Sequence, residues 1–203
     1  MRIKNKGAKI SKRHHIIFSL VLMMCPASVL ADDDCQITSD KQILNFGRFN
    51  SNEMEHGSSE FSGRTIDWRT VASREFHLFV TCNTPRKVRL FIDAPLQPAH
   101  HRFRFSTAGT MVLTFRNAHM DNQSMMLKSV TRGQNAPVEG GGYEWEAGAG
   151  QGVAFTNGSE LAGTRLDITL QIKPYLLPLA FSSRDIDNIE ESMLVSMETY
   201  PVK

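Results

Sequence analysis

The chain has 203 residues, with 23 Lys and Arg against 21 Asp and Glu. Six of the basic residues and none of the acidic ones fall in the first thirty-one positions, so the remaining 172 residues carry 17 basic against 21 acidic side chains, a net charge of −4 with His neutral. The basic residues form no stripe, which excludes nucleic acid as an expected partner, and 172 residues suffice for one domain with a substantial core.

The N-terminus reads as a secretory signal peptide spanning residues 1–31, leaving 32–203 as the mature domain. Arg2, Lys4, Lys6, Lys9, Lys12 and Arg13 form a positive leader. Ile16 to Cys25 is apolar apart from Ser19, Pro26 breaks the run, and Val29-Leu30-Ala31 fits a cleavage site. The apolar run is far shorter than the roughly 20 residues that a spanning helix needs. A lipoprotein signal using Cys25 is the alternative, although Met24 is a poor fit to the small residue expected before such a cysteine. Cleavage leaves two cysteines, Cys35 and Cys82. An even pair in an exported chain points to a disulfide, closing a loop of about 48 residues and stabilising by roughly 4 kcal/mol in the chain-entropy account. Two free buried thiols are the alternative. Without Cys-x-x-Cys spacing the pair is a poor metal site.

Beyond Cys35 the hydrophobic period is two almost throughout. Ile43 to Phe49 is a first strand candidate, and Gly57-Ser58-Ser59 reads as loop. Phe76, Leu78, Val80 and Cys82 alternate with polar or outward residues. The turn signal Asn83-Thr84-Pro85 follows, and then Val88, Leu90 and Ile92 alternate with Lys87, Arg89 and Phe91. These runs read as two consecutive strands. Phe103 to Ser106, Met111 to Phe115, Met125 to Val130 and Gly152 to Phe155 are shorter candidates, with Gly- and Pro-rich punctuation between them. Arg165 to Ile172 has the cleanest alternation, with Leu166, Ile168, Leu170 and Ile172 on one face, as in a half-buried antiparallel strand. Ser183 to Glu191 has room for one helical turn, and Met193 to Tyr200 closes the chain as a strand. Many short strands in one exported domain predict an all-β, immunoglobulin-like sandwich.

Few residues fit catalysis. His77, His100, His101 and His119 lack metal-ligand spacing. Ser73, Asp67 and His77 sit in no nucleophile elbow. The glycine-rich stretch Gly140 to Gly152 lacks the strand-to-helix context of a phosphate loop. The reading is therefore of a protein that is not an enzyme, with no metal and no cofactor. Trp68 and, more pointedly, Tyr143 and Trp145 are candidates for ligand binding, because an aromatic face flanked by polar groups suits a sugar. The alternative for both tryptophans is packing in or over the core.

Three blocks carry a resemblance. They are Cys35-Gln36-Ile37 with Leu44-Asn45-Phe46-Gly47-Arg48; Phe79-Val80-Thr81-Cys82-Asn83-Thr84-Pro85 leading into Val88-Arg89-Leu90; and Gly163 to Ile168 with Ile172-Lys173-Pro174-Tyr175-Leu176, ending in Val195 to Tyr200. In this order they resemble the beta-type fimbrial subunits exported by the bacterial chaperone–usher pathway. About Ala94 to Gly150 carries no such likeness. The resemblance implies an incomplete immunoglobulin-like sandwich, a pilin fold lacking its last strand. It implies a periplasmic chaperone, an outer-membrane usher and neighbouring fimbrial subunits as partners, with a host glycan or protein as a further one. It implies export through the periplasm to the cell surface. Met193, Val195, Met197 and Tyr200 are the expected edge of the groove that takes a chaperone or donor strand. Only Asp32-Asp33-Asp34 separate the expected cleavage site from Cys35, too short and too charged to fill a groove, so the expectation is a tip subunit that accepts a strand and donates none. The alternative is a glycan- or host-protein-binding adhesin domain not built into a fibre shaft.

Overall fold

The computed structural model describes residues 35–46, 54–61, 64–70, 72–97, 102–105, 109–137, 141–177 and 191–202. The expected signal peptide, Asp32 to Asp34 and the turn expected from Ser183 lie outside them. Fourteen strands follow one another: β1 (Cys35–Ser39), β2 (Glu55–Phe61), β3 (Arg64–Thr70), β4 (Arg74–Asp93), β5 (Leu96–Gln97), β6 (Arg102–Arg104), β7 (Gly109–Met120), β8 (Gln123–Ser124), β9 (Met126–Thr131), β10 (Glu144–Glu146), β11 (Gln151–Asn157), β12 (Ser159–Glu160), β13 (Ala162–Leu176) and β14 (Leu194–Pro201). The protein is all-β, and every pairing is antiparallel within one curled sheet.

The expected two strands around Asn83-Thr84-Pro85 are one strand. β4 runs through them for 20 residues. Its ladder with β13 jumps there, from Gly163 opposite Arg86 to Arg165 opposite Thr81. The irregularity absorbs Pro85, which has no N–H to give a ladder, at a place where the ladder is already interrupted. The local signal for a turn is thus overruled by partners on both sides of the bend. The first half of β4 pairs with β1 and β13, the second with β14 and β11.

Other boundaries also move. The first strand is Cys35–Ser39, whereas residues 43–46 are irregular; residues 47–49 lie outside the described set. The stretch read as loop at Gly57-Ser58-Ser59 lies in β2, which forms a hairpin with β3. Its residues lack alternation because the described side chains of β2 beyond Met54 are exposed. β13 behaves as expected: Leu166, Ile168, Leu170 and Ile172 are all buried.

Following neighbours from β4 through β13 and β7 leads to β10, then by the bridge between Gly142 and Leu127 to β9, and through β11 back to β4. The sheet therefore curls around one core. Phe76, Leu78 and Val80 from the first half of β4 share it with Val88, Leu90 and Ile92 from the second. Cys35 and Cys82 face each other in the β1–β4 ladder and are joined by a disulfide.

A second, smaller cluster of Phe91, Val130 and Ala154 lies on the opposite face of β4. It requires Gly152. A Cβ there would stand 2.4 Å from the Phe91 ring and 2.6 Å from the Leu90 carbonyl oxygen. Gly152→Ala should therefore lower stability by about 1–3 kcal/mol, the range for overpacking. Denaturant unfolding measures it, and an unchanged midpoint would show that Phe91 can swing aside.

Candidate functional site: an open seam beside the last strand

The site follows from which edge of β4 each neighbour takes. β1 and β13 both pair with Leu78 to Thr81, so they hold opposite edges. β13 and β14 both pair at Arg86 and Lys87, and β14 and β11 both pair at Arg89 to Phe91. It follows that β1 and β14 lie in line along the same edge, end to end. On the far side β10 and Gly142 join β7 to β9. On the near side, among the described residues, neither β1 nor β14 has a strand partner other than β4. About half of the backbone N–H and C=O groups of such a strand point away from its one neighbour.

The side chains along this side are unfinished core. Ile37 of β1, Leu44 and Phe46 just beyond it, and Met193, Val195 and Met197 in and before β14 pack against the main cluster while staying partly exposed. Phe46 meets Phe105 edge to face at 5.4 Å. At the start of β14 lies a cleft of about 470 Å³, lined by Ile92, Ala94, Phe103, Met193 and Leu194 among others. Leu194 is 63% exposed. Each further 100 Å² of apolar surface covered here would contribute about 2.5 kcal/mol.

Three of the four residues expected at the groove edge, Met193, Val195 and Met197, are together on this inner side. Tyr200 is not. Val195 and Met197 oppose Ile92 and Leu90 of the core, whereas Tyr200 shares the outer face with Ser196 and Glu198. There the Arg89 guanidinium lies 4.4 Å from the Tyr200 ring centroid. Ile37, Leu44 and Phe46, at the β1 end of the same edge, were not expected. Their signal is that Leu44 and Phe46 stay apolar where regular structure has ended.

Tyr143 is 63% exposed. Trp145, opposite Phe115 in the β10–β7 ladder, is half-buried against the core, and its Nε1 is buried without a hydrogen-bond partner among the described residues. Trp68 packs on Tyr175 with ring centroids 4.4 Å apart and the planes tilted by 33°. His100 and His101 lie outside the described residues. His77 Nδ1 is 3.6 Å from Asp167, and among the described residues no group of three or more His, Cys, Asp or Glu is placed to hold a metal ion.

The outer face of β14 is polar. The Tyr200 hydroxyl donates to Glu198 at 2.7 Å, and that bond, with burial and the nearby carboxylate charge, raises the Tyr200 pKa above its ordinary value. A phenol held neutral by the fold contributes stability that is present below its unfolded pKa of about 10 and is lost as pH rises through its higher folded value. Alkaline difference spectroscopy should therefore show Tyr200 ionising later than a free tyrosine, with the late component absent in Tyr200→Phe. Identical titration of the two proteins would contradict the assignment.

The chain matches no protein-family model and no curated protein.

Proposed function

We propose that this chain is a structural and adhesive subunit of a surface fimbria, assembled by chaperone–usher donor-strand exchange. The observation that carries the reading is the open seam: a strand edge with no further strand partner among the described residues, alongside partly buried apolar side chains. Such a surface is an aggregation hazard unless covered. An extended segment from another chain covers it by strand addition, its backbone extending the ladder of β14 and its alternate side chains completing the core.

On this reading the sheet is an immunoglobulin-like sandwich lacking its last strand. A periplasmic chaperone lends the strand during export, the usher receives the complex, and a neighbouring subunit replaces the loan in the fibre. The resemblance of the Cys35, Cys82 and Val195–Tyr200 blocks supports it. So does the Cys35–Cys82 disulfide, which fits an oxidising compartment and agrees with residues 1–31 acting as a signal peptide. The reading assigns no catalysis and no cofactor.

The test is to express the full chain with and without a candidate chaperone of such a pathway. The expected result is a soluble one-to-one periplasmic complex with the chaperone and a markedly lower recovery of soluble chain without it. Equal recovery of a stable monomer in both cases would overturn the reading.

A further inference from the structure

β14 has few of the usual reasons to stay in place. Among the described residues it has one strand neighbour, and its core-facing side chains are only partly buried. Its outer face is different: the outward side chains from Ser196 to Tyr200 are all engaged.

Two arginines organise that face. Arg89, on β4, is 2% exposed. Its guanidinium donates from Nε and Nη2 to the two carboxylate oxygens of Glu160, at 2.7 and 3.0 Å, from Nη1 to the Gln134 carbonyl oxygen at 2.6 Å, and from Nη2 to that of Asn135 at 3.3 Å. The planar group is gripped by its edge, and its open face carries the Tyr200 ring. Arg132 stands over the Phe91 ring at 4.4 Å. It donates from Nη2 to Asp93 at 2.6 Å and to Ser196 Oγ at 2.7 Å, with Glu198 4.0 Å from Nη1. The Ser196 hydroxyl in turn donates to Asp93 at 2.8 Å. Glu198 accepts from Tyr200, which links the two arginines through β14.

Arg132, Gln134 and Asn135 belong to one short segment after β9. It is closed on itself by bonds from Gln134 N to the Thr131 carbonyl and from Thr131 N to Gln134 Oε1, both 3.1 Å. These two bonds need nothing from β14. Exposed ion pairs contribute little, but Arg89 and Glu160 have side chains only 2% and 9% exposed. A one-residue slip of β14 would turn Ser196 and Tyr200 to the wrong face, and a two-residue slip would separate them from Asp93 and Arg89.

We propose that this outer clamp, not the seam, fastens the last strand, so that β14 stands as a preformed edge in correct register before any partner strand arrives. The partner strand is taken from the function proposed above; the clamp stands on its own contacts.

Hydrogen exchange of the mature, disulfide-bonded protein tests it. The alternate amides of residues 195–200 that bond β4 should be protected in the chain alone. Arg132→Met and, separately, Ser196→Ala should each speed their exchange at least tenfold while leaving β7 and β13 unchanged. In the unaltered protein, 1 M salt, which cuts the screening length to about 3 Å, should speed β14 several-fold, because Arg132 is 42% exposed. If Arg132→Met does not fold, Ser196→Ala, which removes one hydroxyl, and the salt series carry the test. β14 exchanging freely in the unaltered protein, or unchanged by variants and salt, would overturn the clamp. Adding a synthetic strand of alternating apolar residues separates the two proposals. A protected β14 that fails to bind it removes the acceptor reading and leaves the clamp. A β14 protected only once the strand binds does the reverse.

Discussion

The fold depends on β4 staying extended through 20 residues and a bend, with strand partners on both edges before and after it. Four strands share that task among the described residues: β13 and β11 on one edge, β1 and β14 on the other. Because β4 contributes to the core on both sides of its bend, its neighbours are drawn around the same core, and the sheet curls. The disulfide sits where this matters, at Cys82 just before the bend, and ties the start of β1 to β4. On the edge shared by β13 and β11 the circuit closes through β7, β10 and β9. On the edge shared by β1 and β14 the chain supplies two strands in line and nothing described beyond them. The seam is the remainder of this arrangement.

That remainder gives β14 two unlike faces. Inside, Val195 and Met197 meet a core that is incomplete on their side. Outside, Ser196, Glu198 and Tyr200 meet a polar network that is complete. The buried pair at its centre is demanding. Removing either partner of a buried ion pair typically costs about 3–5 kcal/mol, because the other is left as an unpaired charge away from water. The bond that Arg89 donates to Glu160 is also the leading reason that the Arg89 pKa is raised, against the opposing effect of burial. Such a network specifies position better than it adds stability, and register is what a strand template needs.

What could be read in the sequence was the period. Leu166 to Ile172 alternates because one face of β13 is buried along its length, so class and burial were both legible there. Continuity through Asn83-Thr84-Pro85 was not, since local residues signal a turn while distant strands decide that the chain stays extended. β2 was illegible for a related reason: its described side chains are exposed, so no buried face imposes alternation on them. At the seam, the same parity that places Met193, Val195 and Met197 inward assigns Tyr200 outward with Ser196 and Glu198, a signal present in the sequence and outweighed by the resemblance. The pairing of Arg89 with Glu160, 71 positions apart, leaves no local trace. The clamp also draws Arg132, Gln134 and Asn135 from the stretch without family likeness, where resemblance could not point to it.

The central claim is that the curled sheet is one strand short. It is tested most directly by the melting temperature of the mature, disulfide-bonded protein as a synthetic strand of alternating apolar residues is titrated in. A strand that completes the core binds the folded state alone, and at 100 times its Kd it should stabilise by about 2.7 kcal/mol. For a chain of this size that is a rise of several degrees, with loss of binding by a dye specific for exposed apolar surface. A melting temperature unmoved at saturating strand, in a protein that binds no such dye beforehand, would show that the sheet is already complete.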